Sequence, residues 1–378
     1  MKIALAIIIP LIVASSVVGI LLNYYNTNND VNDLNQAILN IMNEHNVPGV
    51  AVSAIRDNEI IWTNSYGYSN IDENIQVEDN TLFMLGSISK TIVGTAFMQL
   101  VEEDLITLES DINFFLPFNV TNPRHPNSTI TPKMLLTHTS GIMDNWNVLY
   151  PMQTNGADSP IELAEFTFNY LNENGSYFYY GNFDAEEPGT NYVYTNVGST
   201  LVAYLVEVIS NLTFEEYCQE NIFQPLEMDN TSWFLSNLNE TDIAVPYNEN
   251  SGNFYAILHY GSPVYPCGFL RTSALQFSNF LLTIISGGQY KEFQLLQTNS
   301  VSSMTTEHLP TIAPNVGLFW QSNGLMWGHG GSGPGVSTLM LFNPISNEGA
   351  IVFTNVEKTE VTSLILDEIF MVMRNGGI

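Results

Sequence analysis

The stretch that decides the reading is "LGSISKT", residues 85–91. Basic residues are scarce here: nine Lys and Arg stand against 38 Asp and Glu in 378 residues. One of the nine, Lys90, follows Ser87 by three positions, where a helical pattern begins that Ile92, Ala96 and Leu100 continue. Residues three apart on a helix share a face, so Lys90 can reach the Ser87 hydroxyl. A serine hydroxyl is a weak nucleophile and needs a base beside it. A lysine serves as that base only where burial or a nearby cation lowers its pKa. The apolar flanks "LFMLG" and "TIVGTAFM" predict such burial for Lys90. A serine at a helix start also has free backbone N–H groups around it, suited to an oxyanion. Alone, the Ser-x-x-Lys spacing recurs by chance and also fits an ordinary helix start with an exposed lysine.

Upstream of this stretch, residues 34–46 carry helical periodicity, with Leu34, Ile38, Ile41 and Met42 on one face. "GVAVSAIRD" and "IIWTNSYGYSN" read as two strands of a hairpin around "NE". Downstream, to about residue 310, the pattern is mostly helix and loop, as in "STLVAYLVEVISN" and "TSALQFSNFLLTIIS". "STLMLFNP" and "GAIVFTNVE" read as two further strands, and "VTSLILDEIFMVMR" as a last amphipathic helix. Strands thus lie at both chain ends. The predicted fold class is α+β: one antiparallel sheet built from both ends, flanked by helices, with a mostly helical insertion at about 85–310.

The composition is 45% hydrophobic and 12% aromatic, enough for a large core, while charged residues make up only 12%. A net charge of −29 repels nucleic acid and anionic lipid headgroups, which excludes both as partners. Residues 3–22, "IALAIIIPLIVASSVVGILL", are long enough to span a bilayer. Lys2 before the run and Asp30 and Asp33 after it place the bulk of the chain outside. Residues 1–24 are therefore expected to be a membrane anchor or a signal peptide, 25–33 a linker, and 34–378 the functional domain. Cleavage near Ala14–Ser16 would leave "VVGILL" at the new terminus, which favours the uncleaved form. The expected location is extracytoplasmic, anchored or secreted. Cys218 and Cys267 could pair in that setting, and Asn119, Asn127, Asn174, Asn211, Asn230 and Asn239 head Asn-x-Ser/Thr sequons.

The neighbours of Ser87 give the Ser-x-x-Lys spacing its weight. It is followed in order by "MLLTHTSGI" (134–142), "PGTNYVYTNVGSTLVAYLVE" (188–207), "PCGFLRTSA" (266–274) and "WGHGGSGPGVST" (327–338). In these motifs the chain resembles the serine β-lactamase and penicillin-binding-protein superfamily. The similar branch is the class C-like one, which also holds D-amino-acid peptidases and carboxylesterases. The resemblance runs from about residue 35 to the C-terminus.

By that resemblance Ser87 is the acylated nucleophile and Lys90 its proton partner. Tyr194 is a phenolate-type base or shuttle, and Asn196 hydrogen-bonds Lys90 and the substrate. A lysine and tyrosine so placed titrate as a unit. His329, Gly330 and Gly331 stand where the family has its substrate-binding edge strand, and the Ser332 N–H would join that of Ser87 as oxyanion hole. His329 departs from the Lys of true class C β-lactamases. A histidine is mostly neutral at pH 7, so recognition of a β-lactam or peptide carboxylate should weaken.

The resemblance implies a serine hydrolase of small esters, amides or peptides, with D,D-peptidase or β-lactamase activity as the alternative. A non-catalytic scaffold of the same fold is the rival from another class. No cofactor is expected. "GHGGSGPG" also matches Gly-x-Gly-x-x-Gly through Gly328, Gly330 and Gly333, but a strand follows it where a dinucleotide site needs a helix. No metal-ligand spacing occurs.

Overall fold

The computed structural model describes residues 31–378. The apolar run at 3–22 and most of the expected linker lie outside them. Residues 31–33 of that linker are already helical, because α1 spans Val31–His45 and buries Leu34, Ile38 and Met42.

The main sheet has seven strands: β1 (Gly49–Arg56), β2 (Glu59–Asn70), β3 (Ile75–Gln76), β4 (Gln321–Ser322), β5 (Trp327–Gly333), β6 (Val336–Asn343) and β7 (Glu348–Thr354). Their order is β4-β5-β6-β7-β1-β2-β3, and every pairing is antiparallel. The first strands of the chain thus zip onto the last, with Val52 opposite Val352. The β1–β2 turn is Asp57-Asn58, one residue earlier than the expected "NE", and Glu59 already pairs with Arg56. Both turn residues have positive φ, 51° and 62°, which suits a two-residue hairpin between right-twisted strands.

Both faces of the sheet are covered, so its central strands are buried on both sides. Val50, Val52 and Ala54 point to an outer layer formed by α1 and the C-terminal helix α5 (Thr359–Arg374). Ala51 and Ile55 point the other way, into the larger core. The helices of that core include α2 (Ser89–Glu102), α3 (Asn196–Ser210) and α4 (Ala274–Ile285). The segment between β3 and β4 is the mostly helical insertion, broken by short two-stranded pairs such as Phe83–Met84 with Arg271–Thr272. Among the described residues no single helix is long and apolar enough to cross a membrane.

Two features of this frame place the site. Strand β4 reaches only Trp327 and Gly328 of β5, so among the described residues no strand covers 329–333 on that edge. The chain turn at Gly86–Ile88, one turn of 3-10 helix leading into α2, packs against the open part.

Candidate active site

Ser87 sits in that 3-10 turn, and Lys90 is the second residue of α2. The turn is pinned from two sides. Ser89 Oγ donates to the Gly86 carbonyl at 2.7 Å, and the Leu85 N–H donates to the Leu270 carbonyl at 2.8 Å. Thr338 Oγ1, on β6, donates to the Leu85 carbonyl at 2.5 Å. Two glycines let β5 come this close. A Cβ on Gly86 (φ 56°) would lie 2.9 Å from the Ser332 nitrogen, and one on Gly331 would lie 2.0 Å from the Leu85 oxygen. The Ser87 turn and the Ser332 peptide are therefore direct neighbours.

Lys90 is fully buried. Its Nζ lies 3.1 Å from Ser87 Oγ, 2.8 Å from Asn196 Oδ1 and 2.8 Å from the Cys267 carbonyl oxygen. Asn196 Oδ1 and the peptide oxygen are pure acceptors and take two ammonium protons, and the third direction faces Ser87. Burial opposes the charge, but Tyr194, Cys267 and Asp144 outweigh it, and the Lys90 pKa is raised. This corrects the expectation that an apolar setting makes Lys90 a neutral base. The apolar flanks do bury it, but the groups aimed at it hold the proton on. Tyr194 presents its ring to Lys90, with Nζ 4.9 Å from the ring centre.

Asn196 opens α3, whose N-terminus the sequence reading left without its anchor. The anchor is Asp144, which is half-buried and accepts from four groups. They are Thr195 Oγ1 and the Asn196 N–H at 2.9 Å, the Val197 N–H at 3.0 Å, and Asn196 Nδ2 at 2.9 Å. A carboxylate at a helix N-terminus is favourable. Burial nonetheless raises the Asp144 pKa, with the backbone donors of Asn196 and Val197 opposing. By holding Nδ2, Asp144 fixes which way the Asn196 amide faces and so turns Oδ1 to Lys90. No spacing in the sequence marks Asp144, because its partners are some 50 positions on (|i−j| of 51 to 53).

Two imidazoles flank Tyr194. His138, in left-handed conformation (φ 56°), accepts from the Thr195 N–H through Nδ1 at 3.3 Å, and its ring centre is 4.3 Å from that of Tyr194. Its carbonyl accepts from the Val193 N–H at 2.8 Å. The 134–142 segment thus orders the loop that carries Tyr194. His329 stands on the other side, 6.4 Å from the Tyr194 ring, with Nδ1 2.7 Å from the Gly330 carbonyl. Burial and then the Lys90 charge press the His329 pKa down to about 3, against the Gly330 hydrogen bond. His329 is therefore a neutral residue in this strand.

The structure brings Ser87, Lys90, Tyr194, Asn196, His329, Gly331 and Ser332 into one cluster. Cys218 and Cys267 are both buried free thiols, so the pairing open to them in the sequence is not made. Cys267 instead serves the site through its carbonyl, and burial pushes its thiol up to about 11. Among the described residues no group of three or more His, Cys, Asp and Glu could hold a metal ion.

Comparison with known proteins fits this geometry. Over 340 residues the chain is 23% identical to Protein flp of Staphylococcus aureus (strain MRSA252), covering 90% of this chain and 66% of that protein. The chain thus spans just under two thirds of that relative's length. It superposes on the octameric penicillin-binding protein homologue from Pyrococcus abyssi with a TM-score of 0.72 at 22% identity, covering 92% of this chain and 78% of the other. On the D-amino acid amidase from Ochrobactrum anthropi SV3 the TM-score is 0.70 at 19% identity, covering 91% and 99%. The two superpositions are likenesses of fold. The family model described as Beta-lactamase matches residues 34–368, and the chain belongs to that family, with its serine-hydrolase fold.

Proposed function

We propose that the protein is a serine hydrolase that cleaves a small ester or amide through an acyl-Ser87 intermediate. The observation that carries this reading is the buried Lys90 ammonium 3.1 Å from Ser87 Oγ, held by Asn196 Oδ1 and the Cys267 carbonyl. A buried charge costs several kcal/mol unless it is fully paired, and here it is aimed at a hydroxyl in a turn open to one sheet edge.

In this reading Ser87 Oγ attacks the substrate carbonyl carbon and a C–O bond forms. Lys90 and Tyr194 together move the serine proton, and the Lys90 ammonium steadies the negative charge that develops. The Ser87 and Ser332 N–H groups hold the oxyanion, as the contact between their two segments allows. The proton then passes to the leaving group as its bond to carbon breaks. Water attacks the acyl carbonyl by the same route, and the Lys90–Tyr194 pair passes its proton to Ser87 Oγ as the acyl C–O bond breaks. Gly330 and Gly331 leave the strand edge bare for the substrate backbone.

Small esters and amides rank before D,D-peptides and β-lactams because His329 gives no positive charge where a substrate carboxylate would need one. An extracytoplasmic location, with residues 1–24 as anchor or leader, belongs to the same reading. Turnover of para-nitrophenyl butyrate by the full-length chain tests the function. Activity in the wild type that falls about 10³-fold or more in Ser87→Ala supports it. Equal rates in the two proteins would refute it.

A further inference from the structure

We propose that the natural substrate carries a positive charge, an ammonium or quaternary ammonium group, which is held by the Glu357 carboxylate at the mouth of the Ser87 site. The inference rests on the reading of Ser87 as the acylated serine.

Ser332 supplies the second oxyanion N–H in that reading, and its own hydroxyl donates to Glu357 Oε1 at 3.2 Å. Both residues are exposed. Glu357 stands just before α5, whose N-cap is Lys358. A carboxylate thus lies one side chain away from the place where negative charge develops. Two like charges that close raise the barrier unless a cation stands with them.

Lys90 stands beside Ser87, but among the described residues no cation forms an ion pair with Glu357. Of its nine Lys and Arg, Lys2 lies outside the described residues and Lys90 is already committed to Ser87, Asn196 and Cys267. The other seven all bond carboxylates or peptide carbonyls elsewhere. Lys358, next to Glu357 in sequence, turns its Nζ to Glu249 Oε2 at 2.9 Å and to the His45 carbonyl. Arg271 is buried and donates to the carbonyls of Trp233, Phe269 and Tyr260. His329 is neutral. An anionic substrate therefore meets a carboxylate and, among the described Lys and Arg, no cation that is not already paired. A cationic one meets a partner that offsets the charge next to the oxyanion, and the net charge of −29 draws it in.

The test uses the full-length chain and three para-nitrophenyl esters of acids matched in length. They end in trimethylammonium, tert-butyl and carboxylate, and each rate is divided by its uncatalysed rate. The expected order of kcat/KM is cation over neutral over anion, each step about fivefold, the upper range for an exposed ion pair. Glu357→Gln should bring the cation-to-neutral ratio down to about one, mainly through KM. Glu44→Gln removes an exposed acid from α1 and should keep the wild-type ratio. A wild-type ratio of one, or a ratio equal in Glu357→Gln and wild type, overturns the proposal. A fluorophosphonate adduct on Ser87 with no charge preference overturns this inference alone. No ester turnover together with no adduct on Ser87 overturns the parent reading as well.

Discussion

The two sides of the central sheet are built on different plans. The outer side is a greasy lamina in which α1 and α5 lie across β1, β6 and β7 through Leu34, Ile38, Val52, Leu339, Val352, Ile365 and Ile369. The inner side has a larger apolar core, but it encloses polar groups that are nearly all paired: Lys90, Asp144, Asn196 and His138. On the outer side any side chain of the right volume serves, and stability is the only thing at stake. On the inner side each polar group is costly to bury and tolerable only through named partners. The comparison teaches where function is kept: in the layer that cannot be simplified to apolar packing.

Substitutions can break or sharpen that contrast, beginning with the largest effect. Lys90→Ala should lower kcat/KM about 10³-fold, the range for loss of a proton-transfer partner. It also leaves Asn196 Oδ1 and the Cys267 carbonyl without the donor they share. Full activity in a folded Lys90→Ala protein would remove the distinction between the two sides. Ile369→Ala in the outer lamina should cost about 2–4 kcal/mol in denaturant unfolding, as a cavity in a closed apolar layer does. Its turnover per folded molecule should stay at the wild-type value.

Asp144→Asn sharpens the contrast, since it alters charge and donors while keeping size. The new amide cannot accept from all four groups, so Asn196 loses its fixed orientation. We expect a loss of about 10²-fold in kcat with little change in KM, the cost of a misplaced catalytic group. The alkaline limb of the pH–rate profile should also move to lower pH, because Asp144 is one of the charges that raise the Lys90 pKa. A purely structural Asp144 would change stability and leave that limb in place.

The last test reads a slope with pH. His329 is neutral when folded, with a pKa of about 3 against an ordinary 6.5. The unfolded chain takes up that proton first, so its contribution is fully present above pH 6.5 and is lost as pH falls toward 3. The His329→Gln variant should lack it. The difference in unfolding free energy between the two proteins should change by about 1.4 kcal/mol per pH unit in that window. Using the difference matters, because Glu207, raised to about 7 by burial, gives the opposite slope in the wild type. A pH-independent difference would mean that His329 is solvated, and the neutral-strand argument would fall with it.

The same contrast separates what the sequence revealed from what it hid. The outer lamina was legible because its signals are local. The period of Leu34, Ile38 and Met42 marks α1, and the buried runs of β6 and β7 mark strands that must meet β1. Ser87, Lys90, Tyr194 and Asn196 were legible because each sits in a short ordered motif. Asp144, Glu357 and the Cys267 carbonyl were not, since each acts across a gap that no motif spans. Lys90 to the Cys267 carbonyl spans 177 positions, and Ser332 to Glu357 spans 25. The protonation of Lys90 was hidden for a related reason. Apolar neighbours in sequence forecast burial, whereas the charge is set by groups that only the fold brings near.

The most direct test of the central claim is covalent. Full-length wild type and Ser87→Ala would be incubated with a fluorophosphonate probe and with a fluorescent penicillin, and the adduct located by mass spectrometry. The account predicts phosphonylation of Ser87 in the wild type, none in Ser87→Ala, and neither a stable penicillin adduct nor penicillin turnover. Penicillin acylation of Ser87 would keep the acyl-enzyme and contradict the ranking of substrates. A folded wild-type protein that takes no adduct from either reagent would contradict the account itself and leave the chain a scaffold of the β-lactamase fold.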